Sequence, residues 1–182
     1  YPEDTEIVAK FDDGTNTPGS GWDANGQLLH LRYEKDGTLI RSFAFTYDES
    51  GNRASQLDVT PTKAIKWEYG YDWLDRLETV KKAEAATFGA LGALQLVSVS
   101  SYDESDNRTK FELPQDLVEY IYSFDDADQI ASRTRKDNGT TVFVETFGHD
   151  ADGNLLTRFN DDTGETITCL LYTSDAADER SS

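Results

Sequence analysis

Residues 47–53 read Tyr47-Asp48-Glu49-Ser50-Gly51-Asn52-Arg53, and the stretch leading into them reads Phe43-Ala44-Phe45-Thr46. Phe43, Phe45 and Tyr47 fall at every second position, the period of a half-buried strand. An Asp at the first corner of a turn accepts hydrogen bonds from backbone N–H groups a few residues on, which is the place of Asp48. Gly51 comes three residues later. There a type I turn needs a positive φ to leave into a bulged hairpin, and Gly accepts it without strain. This short stretch therefore spells strand, turn and returning strand.

The same seven-residue unit recurs. It is an aromatic or His, an acidic residue, two free positions, Gly or Asp, a polar residue, then Leu, Ile or Arg. Copies start at Trp22 (WDANGQL), Tyr33 (YEKDGTL), Tyr47 (YDESGNR), Tyr71 (YDWLDRL), Tyr102 (YDESDNR), Phe124 (FDDADQI) and His149 (HDADGNL). Asp23, Asp48, Asp72, Asp103, Asp125 and Asp150 take the turn corner, with Glu34 as a weaker substitute. Gly26, Gly37, Gly51, Asp75, Asp106, Asp128 and Gly153 take the positive-φ position, where no β-branched residue occurs. Alternating runs precede other copies as well: Ile65, Trp67, Tyr69 and Tyr71, then Val118, Tyr120, Tyr122 and Phe124. Leu28, Leu39, Leu77, Ile130 and Leu155 begin the returning strands. The predicted fold is all-β, antiparallel hairpin repeats in a curved, open sheet, each hairpin with one aromatic and one polar face. Such a hairpin cannot bury its face alone and must stack on its neighbours. The residues expected to carry the repeat are Tyr33, Gly37, Tyr47, Asp48, Gly51, Tyr71, Asp72, Leu77, Tyr102, Asp103, Phe124, Asp125, Ile130, Asp150, Gly153 and Leu155.

The array is expected over 22–168. Residues 1–21, rich in Gly, Pro, Asp and Thr, read as a degenerate repeat or linker. The Ala-rich run 83–96 reads as an insertion with short-helix character. Before Tyr102, Ser98 and Ser100 replace aromatics, so that strand is expected to be weakly buried or shifted in register. Residues 169–182, CLLYTSDAADERSS, break the pattern and resemble a translated sequencing adapter, a non-native tail to be excluded from fold reasoning. The chain has no methionine and is expected to be an internal stretch of a longer reading frame. Cys169, the single cysteine, offers no internal disulfide.

Of 182 residues, 17 are basic and 35 acidic, a net charge of -18. Such a surface repels phosphate backbones and anionic membranes, which argues against nucleic-acid partners. No apolar run is long enough to span a bilayer as a helix, so no membrane insertion is expected. The carboxylate pairs Asp12–Asp13, Asp125–Asp126 and Asp161–Asp162 read as turn and surface residues in preference to a glycosidase acid and base. Asp150-Ala151-Asp152-Gly153-Asn154 begins like a calcium loop but lacks the distal Glu. His30 and His149 are far apart in sequence, which argues against zinc. No catalytic residue, metal or cofactor is expected.

YDESGNR, YDWLDRL and YDESDNR resemble the YD repeats of Rhs proteins, teneurins and the shell components of insecticidal toxin complexes. The resemblance covers Trp22 to Leu155 and is strongest at Tyr47, Tyr71 and Tyr102. It implies a spiral shell, of which this chain would supply wall. The implied role is structural and not enzymatic: encapsulation of a C-terminal toxin or effector by a secreted or cell-surface protein. The implied partners are neighbouring YD repeats of the same chain and an encapsulated toxin domain. The alternative is a cell-surface adhesion or carbohydrate-binding module, with carbohydrate as the partner. No DPxGL-like run, the mark of an autoproteolytic region, is present.

Overall fold

The computed structural model describes residues 6–14 and 20–168. They form thirteen strands: β1 (Ile7–Lys10), β2 (His30–Lys35), β3 (Thr38–Tyr47), β4 (Arg53–Thr60), β5 (Lys63–Tyr71), β6 (Leu77–Ala85), β7 (Gln95–Tyr102), β8 (Arg108–Leu113), β9 (Val118–Phe124), β10 (Ile130–Asp137), β11 (Thr140–His149), β12 (Leu155–Asn160) and β13 (Glu165–Thr168). The chain divides into two compact units, 1–99 and 100–182, with the boundary inside β7. Within each unit the strands lie side by side in sequence order, and the pairing is antiparallel. Fold class and strand direction are those predicted. The proposed adapter-derived tail, from Cys169 on, lies outside the described residues.

In the first unit the motif turns occupy one rim. Residues 48–52 join β3 to β4 and residues 72–76 join β5 to β6. The opposite rim carries different chemistry: Asp36-Gly37 joins β2 to β3 and Pro61-Thr62 joins β4 to β5. Residues 1–21, read as a repeat or linker, contain β1, whose Ile7 lies opposite Lys35 and Lys10 opposite Arg32 on β2. The region read as an insertion is narrower than 83–96. β6 runs through Ala83 to Ala85, and the helical character amounts to one 3-10 turn, Phe88–Ala90. Ala83 pairs with Lys66 in the ladder and is buried, which explains its small side chain.

Paired residues in a ladder share a face. One face of the first unit carries Phe43, Phe45, Trp67 and Tyr69, interleaved with Arg41, Asp58, Lys82 and Glu84. The other carries Ala44, Leu57, Val59, Ala64 and Ala83 among His30, Arg32, Ser42, Thr46, Ser55, Lys66, Glu68 and Lys81. The expectation of one aromatic and one polar face holds in part here: charges lie among the rings, and small apolar residues lie among the polar side chains of the second face. Cations cover the rings. Arg41 sits 4.8 Å from the Phe43 centroid, Arg53 4.5 Å from Phe45, and Lys82 5.2 Å from Trp67. Contacts of this kind contribute roughly 0.5–1 kcal/mol each at exposed sites. Among the described residues the buried hydrophobic side chains are Phe45, Ala64 and Ala83. Backbone ladders and ring–cation layers thus carry more of this fold than a conventional core does.

The second unit repeats the plan. Motif turns 103–107, 125–129 and 150–154 alternate with Pro114–Leu117, Asn138-Gly139 and Asp161–Gly164. Arg133 and Glu145 are cross-strand partners, and Glu145 is buried with Arg133 Nη2 at 2.5 Å. Arg108 lies 4.9 Å from the Phe111 centroid and 5.6 Å from Tyr122. The strand before Tyr102 does meet a register shift, between Val80 and Lys81 of β6. Ser100 is nevertheless buried, so that strand is not simply weakly buried.

Candidate functional site: the stitched repeat turns

Six copies of the motif build one and the same turn. In each, the carbonyl of the turn Asp accepts from the N–H three residues on, and its N–H donates to the carbonyl four residues on. At Asp72 these distances are 3.1 and 3.0 Å, and at Asp150 3.1 and 3.0 Å. The side chain closes the loop from inside. Asp72 Oδ1 accepts from the N–H groups of Leu74 and Arg76 at 2.9 and 3.0 Å. Asp23, Asp103, Asp125 and Asp150 do the same to their second and fourth successors, and Asp48 accepts from Asn52 N–H at 2.8 Å. A carboxylate reaches both donors from this corner, which is why Asp recurs there. The Asn154 side-chain amide and N–H hold the Asp150 carboxyl below its usual pKa. For Asp72, partial burial pulls upward, but the bonds from Arg76 and Leu74 outweigh it and the net shift is downward.

The fifth motif position has positive φ in all six: Gly26 at 79°, Gly51 at 89°, Asp75 at 61°, Asp106 at 68°, Asp128 at 57° and Gly153 at 83°. The bulge follows at once. Tyr47 pairs with Arg53, Tyr71 with Leu77, Phe124 with Ile130 and His149 with Leu155, each beside a register shift.

The Tyr33 copy is different. Asp36 and Gly37 both have positive φ, 51° and 75°, between strands that end at Lys35 and resume at Thr38. That is a two-residue hairpin of the Asp-Gly kind and not a type I turn, and the register shift of this hairpin lies between Tyr33 and Glu34, inside the ladder. Glu34 does not cap it. Glu34 is a buried strand residue, 2.7 Å from Lys10 Nζ and also paired with Arg32. The Lys10 bond, then the charge of Arg32, holds its pKa down against desolvation. Asn138-Gly139 forms the equivalent tight turn between β10 and β11, with φ of 49° and 78°.

Two kinds of side-chain contact stitch one motif turn to the next, and neither was evident from spacing. The Tyr47 hydroxyl donates to the Leu28 carbonyl and the Tyr71 hydroxyl to the Arg53 carbonyl, both at 2.9 Å. Each phenol thus reaches the last residue of the preceding copy that builds this turn, the Tyr33 copy being passed over. In the forward direction, Gln27 Nε2 donates to the Gly51 carbonyl at 3.3 Å. Asn52 Nδ2 donates to Asp75 Oδ1 at 2.7 Å, and Asn107 Nδ2 to Asp128 Oδ1 at 2.9 Å. Within four of the hairpins themselves, the residue before the motif aromatic faces a Ser or Thr across the strand pair. The pairs are Thr46 with Ser55, Gly70 with Thr79, Ser123 with Ser132 and Gly148 with Thr157. The Thr46–Ser55 and Ser123–Ser132 hydroxyls are 2.7 Å apart. A signal for this pair does exist in the sequence: Ser or Thr nine places after Thr46, Gly70, Ser123 and Gly148.

Other candidate chemistry is dispersed. Asp12 forms an ion pair with Arg32 at 2.6 Å, and Asp161 Oδ1 accepts from Val144 N–H at 2.5 Å. Asp125 is a turn corner. Among the described residues, no group of three or more His, Cys, Asp or Glu is placed to hold a metal. No helix among them is long and apolar enough to cross a membrane. A cleft of about 220 Å³ includes His30, Arg32 and Phe43, and a shallower one of about 370 Å³ is lined by Tyr47, Arg53, Tyr69, Tyr71 and Leu77.

No family model matches the chain, and no curated protein does. Solved structures do match. The crystal structure of TcdB2-TccC3-Cdc42 superposes with a TM-score of 0.66 at 15% identity, over 87% of this chain and 8% of that one. That of TcdB2-TccC3 gives 0.62 at 16%, over 77% and 7%. TcdB2-TccC3 without its hypervariable C-terminal region gives 0.66 at 16%, over 87% and 8%. This chain is similar to them in fold. It spans less than a tenth of the length of those chains.

Proposed function

We propose that the chain is a wall segment of a YD-repeat, Rhs-type shell. In this reading it belongs to a secreted or cell-surface protein whose shell encloses a C-terminal toxin or effector, and it is structural and not an enzyme. The observation that carries the reading is the stitching of successive turns. A phenol reaches back one copy and an amide reaches forward one copy, at Tyr71 to Arg53 and Asn52 to Asp75. Such a unit extends by addition: each new hairpin finds its hydrogen-bond partners on the hairpin before it. A wall needs this property, and an active site does not. The likeness in fold to the TcdB2-TccC3 structures supports the reading. The partners it implies are neighbouring repeats of the same chain and an enclosed domain.

The test is protection. The repeats are expressed together with the domain they are proposed to enclose and digested with a broad protease under native conditions. A downstream domain that resists digestion until the repeats are unfolded supports encapsulation. A downstream domain cut at the rate of the free domain rejects it.

An adhesion or carbohydrate-binding role is the second reading. It rests on the shallow cleft of Tyr47, Tyr69, Tyr71 and Arg53, since sugars stack on aromatic rings. The hydroxyls of Tyr47 and Tyr71 are already engaged with backbone, which leaves the ring faces to bind. Glycan-array binding that is lost in Tyr69→Ala would favour it over the wall.

A further inference from the structure

The third and fourth positions of the repeat turn are free of structural duty. Among the described residues, the group used there is the backbone N–H of the fourth position, as in Leu74 N–H to Asp72 Oδ1 at 2.9 Å. The other five turns of this kind place small or polar residues there: Ala24-Asn25, Glu49-Ser50, Glu104-Ser105, Asp126-Ala127 and Ala151-Asp152. The turn after β5 alone carries Trp73-Leu74. Trp73 is 86% exposed and Leu74 42% exposed, with Leu77 beside them at 37%. The fold does not require this apolar knuckle, and water solvates it poorly. Exposed Trp is also the residue type most enriched at the energetic centre of protein interfaces.

We propose that Trp73 and Leu74 form the anchor of an interaction surface for a basic protein partner with an apolar socket. The surroundings decide the charge. Asn52 bridges to Asp75, so the turn bearing Asp48 and Glu49 stands directly beside the knuckle. The nearby cations are already engaged: Arg76 pairs with Asp72 at 2.8 Å, and Arg53 lies over Phe45. The knuckle therefore rises from an acidic rim. A second copy of this chain carries a net charge of -18 and is repelled. An anionic lipid surface is repelled for the same reason. A cationic surface is attracted, and its pocket takes the indole.

The test uses the whole chain, labelled with nitrogen-15. It has three tryptophans, so three indole N–H signals are expected, and that of Trp73 is assigned by its loss in Trp73→Ala. The probes are three synthetic amphipathic peptides of equal length, built from Lys and Leu, from Glu and Leu, and from Lys and Ser. The double variant Trp73→Ala with Leu74→Asn copies Ala24-Asn25 of the first turn, keeps the charge and should keep the denaturation midpoint. The expected result is that the Lys/Leu peptide shifts the Trp73 indole and binds the double variant about 10-fold or more weakly, with affinity falling as salt rises. The proposal is overturned if Lys/Leu leaves the Trp73 signal in place, or if Lys/Ser or Glu/Leu binds as tightly. It is equally overturned if the double variant, still folded, binds as tightly as the parent.

Discussion

The hydroxyl of Tyr71 donates to the carbonyl of Arg53 at 2.9 Å, tying one repeat to the one before it. Burial, then the charge of Asp48, raises the Tyr71 phenol pKa, so it keeps its proton well into alkaline solution. The ring alone fills space, and the hydroxyl supplies the stitch. Tyr71→Phe should therefore lower stability by roughly 0.5–1.5 kcal/mol, the usual net value of one such bond. Phe124 occupies the same place opposite Asn107 and Arg108, because Lys110 pairs with Ile121 in the register in which Ser55 pairs with Glu68. Phe124→Tyr should gain a comparable amount. Urea midpoints of both variants check the pair of expectations, and equal midpoints would mean that the aromatic is chosen for its ring only.

Gly51 sits at φ 89°, where a β-branched side chain is strained whatever room surrounds it. Gly51→Val should destabilise by about 1–3 kcal/mol. Gly51→Asp should cost less, because Asp75, Asp106 and Asp128 hold the same conformation in sister turns. If both substitutions leave the thermal midpoint in place, the turn does not depend on that conformation.

A different glycine is held for a different reason. Gly70 has no unusual backbone angle, but a Cβ added there would meet Thr79 Oγ1 at 2.4 Å. Gly70→Ala should cost about 1–3 kcal/mol through overpacking. The double change Gly70→Ser with Thr79→Ser copies the Ser123–Ser132 pair and should recover most of the loss. A double variant no more stable than Gly70→Ala would show that the clash is not the cause.

Much of this was legible from residue order. Spacing of aromatic, Asp and Gly or Asp yields the strands, the turn corners and the positive-φ positions, because each obeys a local rule within five residues. Tyr33 misled because Tyr-Glu-Lys-Asp-Gly fits the motif by composition. Its Asp36-Gly37 pair makes a tighter turn, and Glu34 turns inward to Lys10, a partner 24 residues away. The apolar strip within the second face escapes the sequence for a related reason. Ala44, Ala64 and Ala83 are unremarkable singly, and only the register brings them onto one surface. The Tyr71–Arg53 and Asn52–Asp75 stitches span 18 and 23 residues, beyond any local rule.

Acid should weaken the fold over a defined window. Lys63 and then Lys82 hydrogen-bond to Glu84, each at 2.7 Å, and lower its pKa from 4.5 to about 2. Bonds to Arg32 lower Asp12, and a bond to Lys110 lowers Glu119. A carboxyl depressed in the folded state stabilises fully above its unfolded pKa. That contribution disappears as pH falls through the folded value. Denaturation midpoints should thus be flat near neutral pH and decline from about pH 4.5 towards 2. Glu84→Gln should flatten part of that decline, and an identical pH profile in the variant would remove Glu84 from the explanation.

Added salt should promote self-association. In the first unit β1 pairs with β2 along one edge, and Ile7 and Val8 on it are 59% and 41% exposed. In the second unit β13 pairs with β12, and Ile167 is 38% exposed. Among the described residues no further strand pairs with either edge, so each presents N–H and C=O groups in register for another strand, and Lys10 is the one charge on β1 that discourages such pairing. The net charge of -18 keeps copies apart at low ionic strength. Physiological salt screens that repulsion beyond about 8 Å, while strand pairing acts at contact distance and survives. Sedimentation velocity across a sodium chloride series should show the average mass rising with salt. Val8→Lys places a second charge on the edge and should shift that rise to higher salt. A monomer of constant mass at every salt concentration would show that these edges are already protected.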